Sequence, residues 1–190
     1  RYRQLVDQAV TAESRLSGQA GEFSEAVARG YFKLLAYKDE YEVARLLSHP
    51  VFLQSLTDRF EGKAKMHLHL APPFLSHPGN ASGKRRFGSW ILPALRLLSR
   101  FKGLRGTVLD VFGYQQERRD ERALIADYEK NIAALVSDLA EQNIVTAIAI
   151  AELPLAIRGY GHVKQQSMTE AQTRLDELLQ EFTDPKKEAA

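Results

Sequence analysis

A mainly α-helical fold with a small β element, closed into one compact helical domain over residues 1–190, is what the sequence predicts. Three observations carry this reading. Apolar residues recur at three- and four-residue spacing through most of the chain, the period of a helix with one buried face. One stretch, KAKMHLHL, instead alternates apolar and polar positions with the period of a strand. Hydrophobic residues make up 44% of the 190 and charged residues 26%, a balance that supports a buried core and argues against disorder.

The first helix is expected over Tyr2 to Leu16, where Leu5, Val6, Ala9, Val10 and Leu16 share a face, and GQAG at 18–21 breaks it. From Glu22 to Tyr37 the period resumes through Phe23, Val27, Tyr31 and Leu34, with Gly30 marking a close helix contact. Asp39 is placed to cap EYEVARLLSH, and Glu42 three residues on completes a capping-box pattern. His49-Pro50 ends that helix, and Pro50 starts VFLQSLTDRF. The alternation over Ala64, Met66, Leu68 and Leu70 then predicts one short strand, stopped at Pro72-Pro73. Its partner is expected in KRRFG at 84–88 or TVLDV at 107–111, across the turn-rich SHPGNASGK.

Helical texture returns with SWILPALRLLSRF, where Pro93 fits only a first turn. GLRG at 103–106 and FGY at 112–114 bound an irregular stretch. The longest helix is expected over Gln115 to Gln142, and IVTAIAIAEL after Asn143 is apolar nearly all round, as a central helix would be. Pro154 is expected to open the turn LAIRGYG, and His162 to Phe182 forms a last amphipathic helix, followed by a flexible tail over 183–190. A start at Arg1 and a tail DPKKEAA are expected from processing or tag removal, and equally from a domain excised from a longer polypeptide.

Composition excludes several chemistries. With no cysteine there is no disulfide, thiolate zinc site, cysteine-ligated cluster or cysteine nucleophile. No apolar run approaches the roughly 18 to 20 residues of a membrane span, and the polar start is no signal peptide, so no membrane partner and a cytoplasmic location are expected. Nucleophile elbow, Walker loop and dinucleotide fingerprint are all missing. His67 and His69 share one side of the predicted strand, but no third ligand lies at metal-site spacing, and no metal is expected.

Two anion sites are conceivable. In IRGYGHVK, Gly159 and Gly161 permit positive φ, and Arg158, His162 and Lys164 surround the start of the last helix. The competing reading is a glycine-dependent helix-to-helix turn in which Arg158 caps the preceding carbonyls. Arg118, Arg119 and Arg122 offer forks for a carboxylate or phosphate, or form a solvated face with the alternating acids around them. Charge is uneven: Lys84 to Arg122 holds ten Lys or Arg against four Asp or Glu, and Ala123 onward six against eleven. Near-zero net charge and core-like aromatics argue against a nucleic-acid partner.

Four stretches, YFKLLAYKDEYEVARL (31–46), HLAPPFL (69–75), FGSWILPALRLLSRFKGLRGTVLDVFGYQQERRDERALIADYE (87–129) and LPLAIRGYGHVK (153–164), resemble the C-terminal domain of fused indolepyruvate ferredoxin oxidoreductases. The resemblance runs from about Gly21 to Phe182. It implies a parent that oxidatively decarboxylates aryl 2-oxo acids with thiamine diphosphate and iron–sulfur clusters and passes electrons to ferredoxin. The family's cofactor motifs lie in other domains, so no cofactor and no catalytic residue is expected in this segment. The resemblance thus implies a noncatalytic accessory domain whose partners are the remaining domains of the parent, and ferredoxin through them. The alternative is a module for an anionic ligand such as CoA or a nucleotide, held by Arg158, His162 and Lys164 with Arg118, Arg119 and Arg122 in reserve.

Overall fold

A computed structural model describes residues 1–60, 65–70, 85–159 and 162–184, with the backbone alone for His162. Eight α-helices and one two-stranded sheet form among them: α1 (Tyr2–Ser17), α2 (Glu22–Leu35), α3 (Glu40–Ser48), α4 (Pro50–Arg59), β1 (His67–Leu70), β2 (Arg85–Gly88), α5 (Leu92–Arg100), α6 (Gln116–Asp138), α7 (Ile144–Ala156) and α8 (His162–Thr183). The fold is therefore mainly α, as the periodicity predicts. The residues fall into two compact units, Arg1–Tyr37 with Arg119–Ala190, and Lys38–Arg118.

In the first unit α2 packs against α1 and α7, and α7 packs also against α8. Tyr31, Phe23, Ile132, Leu135, Ile150 and Val27 are its most fully buried large side chains. The apolar sequence of α7 does make it a core helix, although Val145 stays 77% exposed. Gly30 is where α2 meets α7: a Cβ there would fall 2.2 Å from the Ala151 carbonyl oxygen and 2.7 Å from the Tyr128 phenol oxygen. That phenol donates to the Ala151 carbonyl at 3.0 Å, and burial holds its pKa well above the usual tyrosine value. Tyr31 stacks between Tyr2 and Tyr128 with ring centroids 5.7 and 5.9 Å away. Its hydroxyl donates to Glu129, which also receives the Arg1 guanidinium, and burial followed by that carboxylate pushes the phenol up to about 12.

The start of α2 is capped from a distance. Its N-cap, Gly21, has no side chain to offer, and Glu13 of α1 accepts the N–H groups of Gly21, Phe23 and Ser24 at 2.8, 2.9 and 2.9 Å. Burial alone would raise the Glu13 pKa, but the bonds from Ser24, Phe23 and Gly21 outweigh it and hold the carboxyl below its ordinary value.

Two expected boundaries move. Helix α6 stops at Asp138 rather than Gln142, because the Asn143 amide donates to the Asp138 carbonyl at 3.0 Å and accepts from Ala140 N–H at 2.8 Å, closing a turn. Pro154 lies inside the last turn of α7 instead of opening the turn beyond it. It forgoes one backbone bond, and its burial in the core holds the helix on to Ala156.

In the second unit α3 packs against α5 and α4. Ala44, Leu95 and Leu68 are its buried centre, with Leu47, Leu92 and Leu98 around them. Strand β1 pairs antiparallel with β2, Leu68 opposite Phe87 and His69 opposite Arg86, so KRRFG is the partner and TVLDV is not. Asp39 caps α3, accepting Glu42 N–H at 2.8 Å. The other half of the capping box does not form, because Glu42 turns to Arg45 and the two bond at 2.9 and 2.6 Å. The loop between the strands, and residues 185–190 of the expected tail, lie outside the described residues.

Gly30→Ala gains about 1 kcal/mol of helix propensity but overpacks a backbone contact, a cost of about 1–3 kcal/mol or more. The expected net loss, about 2 kcal/mol by urea denaturation, is therefore opposite in sign to a helix-surface Gly→Ala change. Glu13→Gln should cost about 1–2 kcal/mol at neutral pH. Because the folded pKa of Glu13 is depressed, its contribution is full above the unfolded carboxylate value and is lost as pH falls through the folded one. The gap between wild type and variant should shrink below about pH 4, and a gap that stayed constant through the acid range would refute the capping role.

Candidate functional site

Between Gly103 and Gln115 the second unit carries a stretch that is neither α-helix nor strand yet is densely hydrogen-bonded. Asp110, 4% exposed, is its centre. Its carboxylate accepts Gly106 N–H at 2.8 Å, Gly113 N–H at 3.1 Å and the Tyr41 hydroxyl at 3.3 Å. Burial, and then the Asp110 charge, raise the Tyr41 pKa, which keeps that phenol a donor. Tyr41 meets Phe112 edge to face, centroids 5.2 Å apart. Around this centre the Thr107 hydroxyl donates to the Leu104 carbonyl at 2.7 Å, and the Tyr114 hydroxyl donates to the Val108 carbonyl at 2.9 Å. Arg105 ties the loop back to α3 through Asp39, at 2.5 and 2.8 Å, and Arg118 reaches Glu40 at 3.3 Å. The sequence KDEY thus places three consecutive side chains, Asp39, Glu40 and Tyr41, that each hold one part of the segment from Arg105 to Arg118.

What the pinned loop presents outward is apolar. Val108 is 84% exposed, Leu109 64% and Val111 56%. The helix before it does the same. Leu95 and Leu98 of α5 face the small core, and at about 100° per residue Arg96, Leu97 and Arg100 point the opposite way, with Phe101 following on that side. Leu97 and Phe101 are exposed, as is Trp90 just before the helix. Seven of the twelve large hydrophobic residues that are exposed among the described residues lie between Trp90 and Tyr114. An ordered surface of this kind marks an interaction site.

The residues singled out by sequence go elsewhere. Gly159 does take a left-handed φ of 91°, and a Cβ there would lie 2.6 Å from Val163 Cγ1. Around it Arg158 N–H donates to the Ser167 hydroxyl at 3.2 Å, that hydroxyl sits 3.0 Å from the Arg158 carbonyl, and Arg158 Nε caps the Leu155 carbonyl at 3.4 Å. These are the bonds of the helix-to-helix turn. Tyr160, Gly161 and the His162 side chain lie outside the described residues. Lys164 pairs with the buried Glu121 of α6, the neighbour of Arg122 in sequence. Arg119 is exposed on α6. His67 and His69 share the exposed side of β1, and among the described residues no group of three or more metal-type side chains forms. An apolar cavity of the first unit lies between α6, α7 and α8, lined by Tyr128, Ile150, Leu153 and Met168; its volume, about 60 Å³, is far below the roughly 300 Å³ that a drug-sized ligand needs.

The composition of 90–114 held a signal in plain view. From Gly62 to Leu109 there are nine Lys or Arg and no Asp or Glu, and the exposed apolar residues from Trp90 to Leu109 fall inside that run. Against known proteins, one family model, described as "Family of unknown function (DUF6537)", matches residues 1–177. No curated protein and no solved structure matches the chain. Among the described residues no helix is long and apolar enough to cross a membrane.

Removing the Asp110 carboxylate leaves the Gly106 N–H without its acceptor and the Tyr41 hydroxyl without its partner, while the Gly113 N–H keeps the Asp110 carbonyl at 3.0 Å. Asp110→Ala should therefore lose about 1–3 kcal/mol. Hydrogen exchange should accelerate most at the Gly106 amide while those in the middle of α6 keep their protection; equal protection at Gly106 in both proteins would show that the Asp110 carboxylate does not pin the loop.

Proposed function

The chain belongs to this family of unknown function, DUF6537, and we propose that it is a noncatalytic accessory domain of an indolepyruvate-type 2-oxoacid:ferredoxin oxidoreductase. In this reading thiamine diphosphate and the iron–sulfur clusters sit in other domains of the parent, and the present chain docks onto that body. The resemblance of the four long stretches to the C-terminal domain of those enzymes is what supports this parent. The ordered loop supplies the docking role: Val108, Leu109 and Val111 are held out to solvent by a backbone pinned on Asp110. Fixing a loop before binding removes an entropic cost of association, which is what a permanent interface uses.

The anionic-ligand alternative draws less support. Lys164 and Arg118, two of its contacts, each hold a carboxylate of the same unit, and an incoming phosphate would have to displace it. Arg158 turns its guanidinium to the end of α7.

In the purified parent, hydrogen exchange at 106–114 should be about tenfold slower than in the isolated 190-residue chain, because docking covers the loop. Val108→Ser with Leu109→Ser should abolish that difference without lowering the stability of the isolated chain by more than about 0.5 kcal/mol, both side chains being exposed. Turnover of an aryl 2-oxo acid by the isolated chain, or equal exchange in chain and parent, would sink the reading. A saturable thermal shift with CoA that Arg158→Ala removes would move the assignment to the ligand module.

A further inference from the structure

We infer that the outer side of α5, with the pinned loop that follows it in the chain, takes an acidic polypeptide surface, one with apolar side chains at its centre and Asp or Glu around them. The inference rests on the docking reading above and adds the chemistry of the partner. Its basis is charge. Over the 48 residues from Gly62 to Leu109 the chain places nine cations and no anion, whereas 24 acids in 190 residues would put about six in a run of that length.

Two cations on α5 have no acid beside them among the described residues. Arg96 and Arg100 are exposed, make no ion pair there, and stand on the same side of the helix as Leu97 and Phe101. This differs from Arg105 and Arg118, which are bound to Asp39 and Glu40. Two guanidiniums one turn apart beside two large apolar groups form the composition that protein interfaces favour, with Arg and aromatics enriched at the centre. Their planar forks match carboxylates.

A lipid surface fits less well. An interfacial helix lays its apolar side into the bilayer, and the apolar side of α5 already packs on Ala44 and Leu68 of its own unit. Nucleic acid is the nearer competitor, since Trp90, Phe101 and Tyr114 are exposed in the same stretch, but Leu97, Val108, Leu109 and Val111 are aliphatic and give bases nothing to stack on.

The test uses the parent and reads hydrogen exchange across 96–111. Arg96→Glu with Arg100→Glu should raise exchange about tenfold toward the level of the isolated chain, while Arg96→Lys with Arg100→Lys retains most of the protection. Raising salt from about 50 to about 500 mM should weaken protection in wild type more than in the double Glu variant, since exposed pairs are screened. If Leu97→Ser with Leu109→Ser removes protection and the Glu variant does not, docking stands and the acidic partner is wrong. If neither removes it, the docking reading fails as well. Sedimentation of the isolated chain with phosphatidylserine vesicles, or retention by a single strand of about 20 nucleotides, each lost in the Glu variant, would overturn the inference in favour of lipid or nucleic acid. No binding to either probe, together with loss of protection in the Glu variant, supports it.

Discussion

One buried carboxylate decides the shape of the second unit's outer surface. The chain from Gly103 to Gln115 has no ladder or α-helix to satisfy its backbone, and a segment left in that condition would sample many conformations. Asp110 substitutes for secondary structure by accepting two backbone N–H groups and a phenol from α3. Together with the turn bonds of Thr107 and Asp110 N–H and the Tyr114 hydroxyl on the Val108 carbonyl, that makes 108–111 a surface rather than a tail. The exposure of Val108 and Leu109 has meaning only because the backbone under them is fixed.

The same device recurs in the first unit with a different result. Glu13 takes three backbone N–H groups at the start of α2, and in doing so sets how α2 leaves α1. Gly30 then lets α2 approach α7 until the backbone of one nearly touches the other. Buried acids serve here as fasteners of backbone, and a carboxylate occupied by N–H donors is a poor candidate for acid–base work. The Tyr31 phenol, pushed up to about 12 by burial and by Glu129, stays a hydrogen-bond donor across physiological pH and fits the same structural role.

Local signals were legible in the sequence and long-range ones were not. The helices, the Asp39 cap and the strand HLHL each depend on residues within a few positions of one another, so period and residue type reveal them; at Gly30 the residue type marks a close approach but not that its neighbours are Ala151 and Tyr128. Glu13 capping residues eight to eleven further on, Lys164 reaching Glu121 across 43 positions and Tyr41 reaching Asp110 across 69 leave no periodic trace. That gap explains the attention drawn by IRGYGHVK. Read locally, Arg158 and Lys164 look unemployed beside two glycines; the fold gives both of them carbonyl or carboxylate partners.

The surface that remains is one the sequence did announce, though in a register unlike a motif. A cationic residue inside a fold normally has a nearby acid to answer it, and α3 shows this with Asp39 and Glu40 answering Arg105 and Arg118. The 48-residue run without an acid gives Arg96 and Arg100 no local answer, and the fold brings none to them among the described residues. Solubility alone does not account for such a run, because mixed charges keep a surface soluble without leaving large apolar groups between like cations. Leu97 and Phe101 stand outside the core of their unit and leave 56% and 47% of their surface exposed. An exposed aliphatic or aromatic group costs solubility unless something covers it, and here the cations around it indicate the sign of what does.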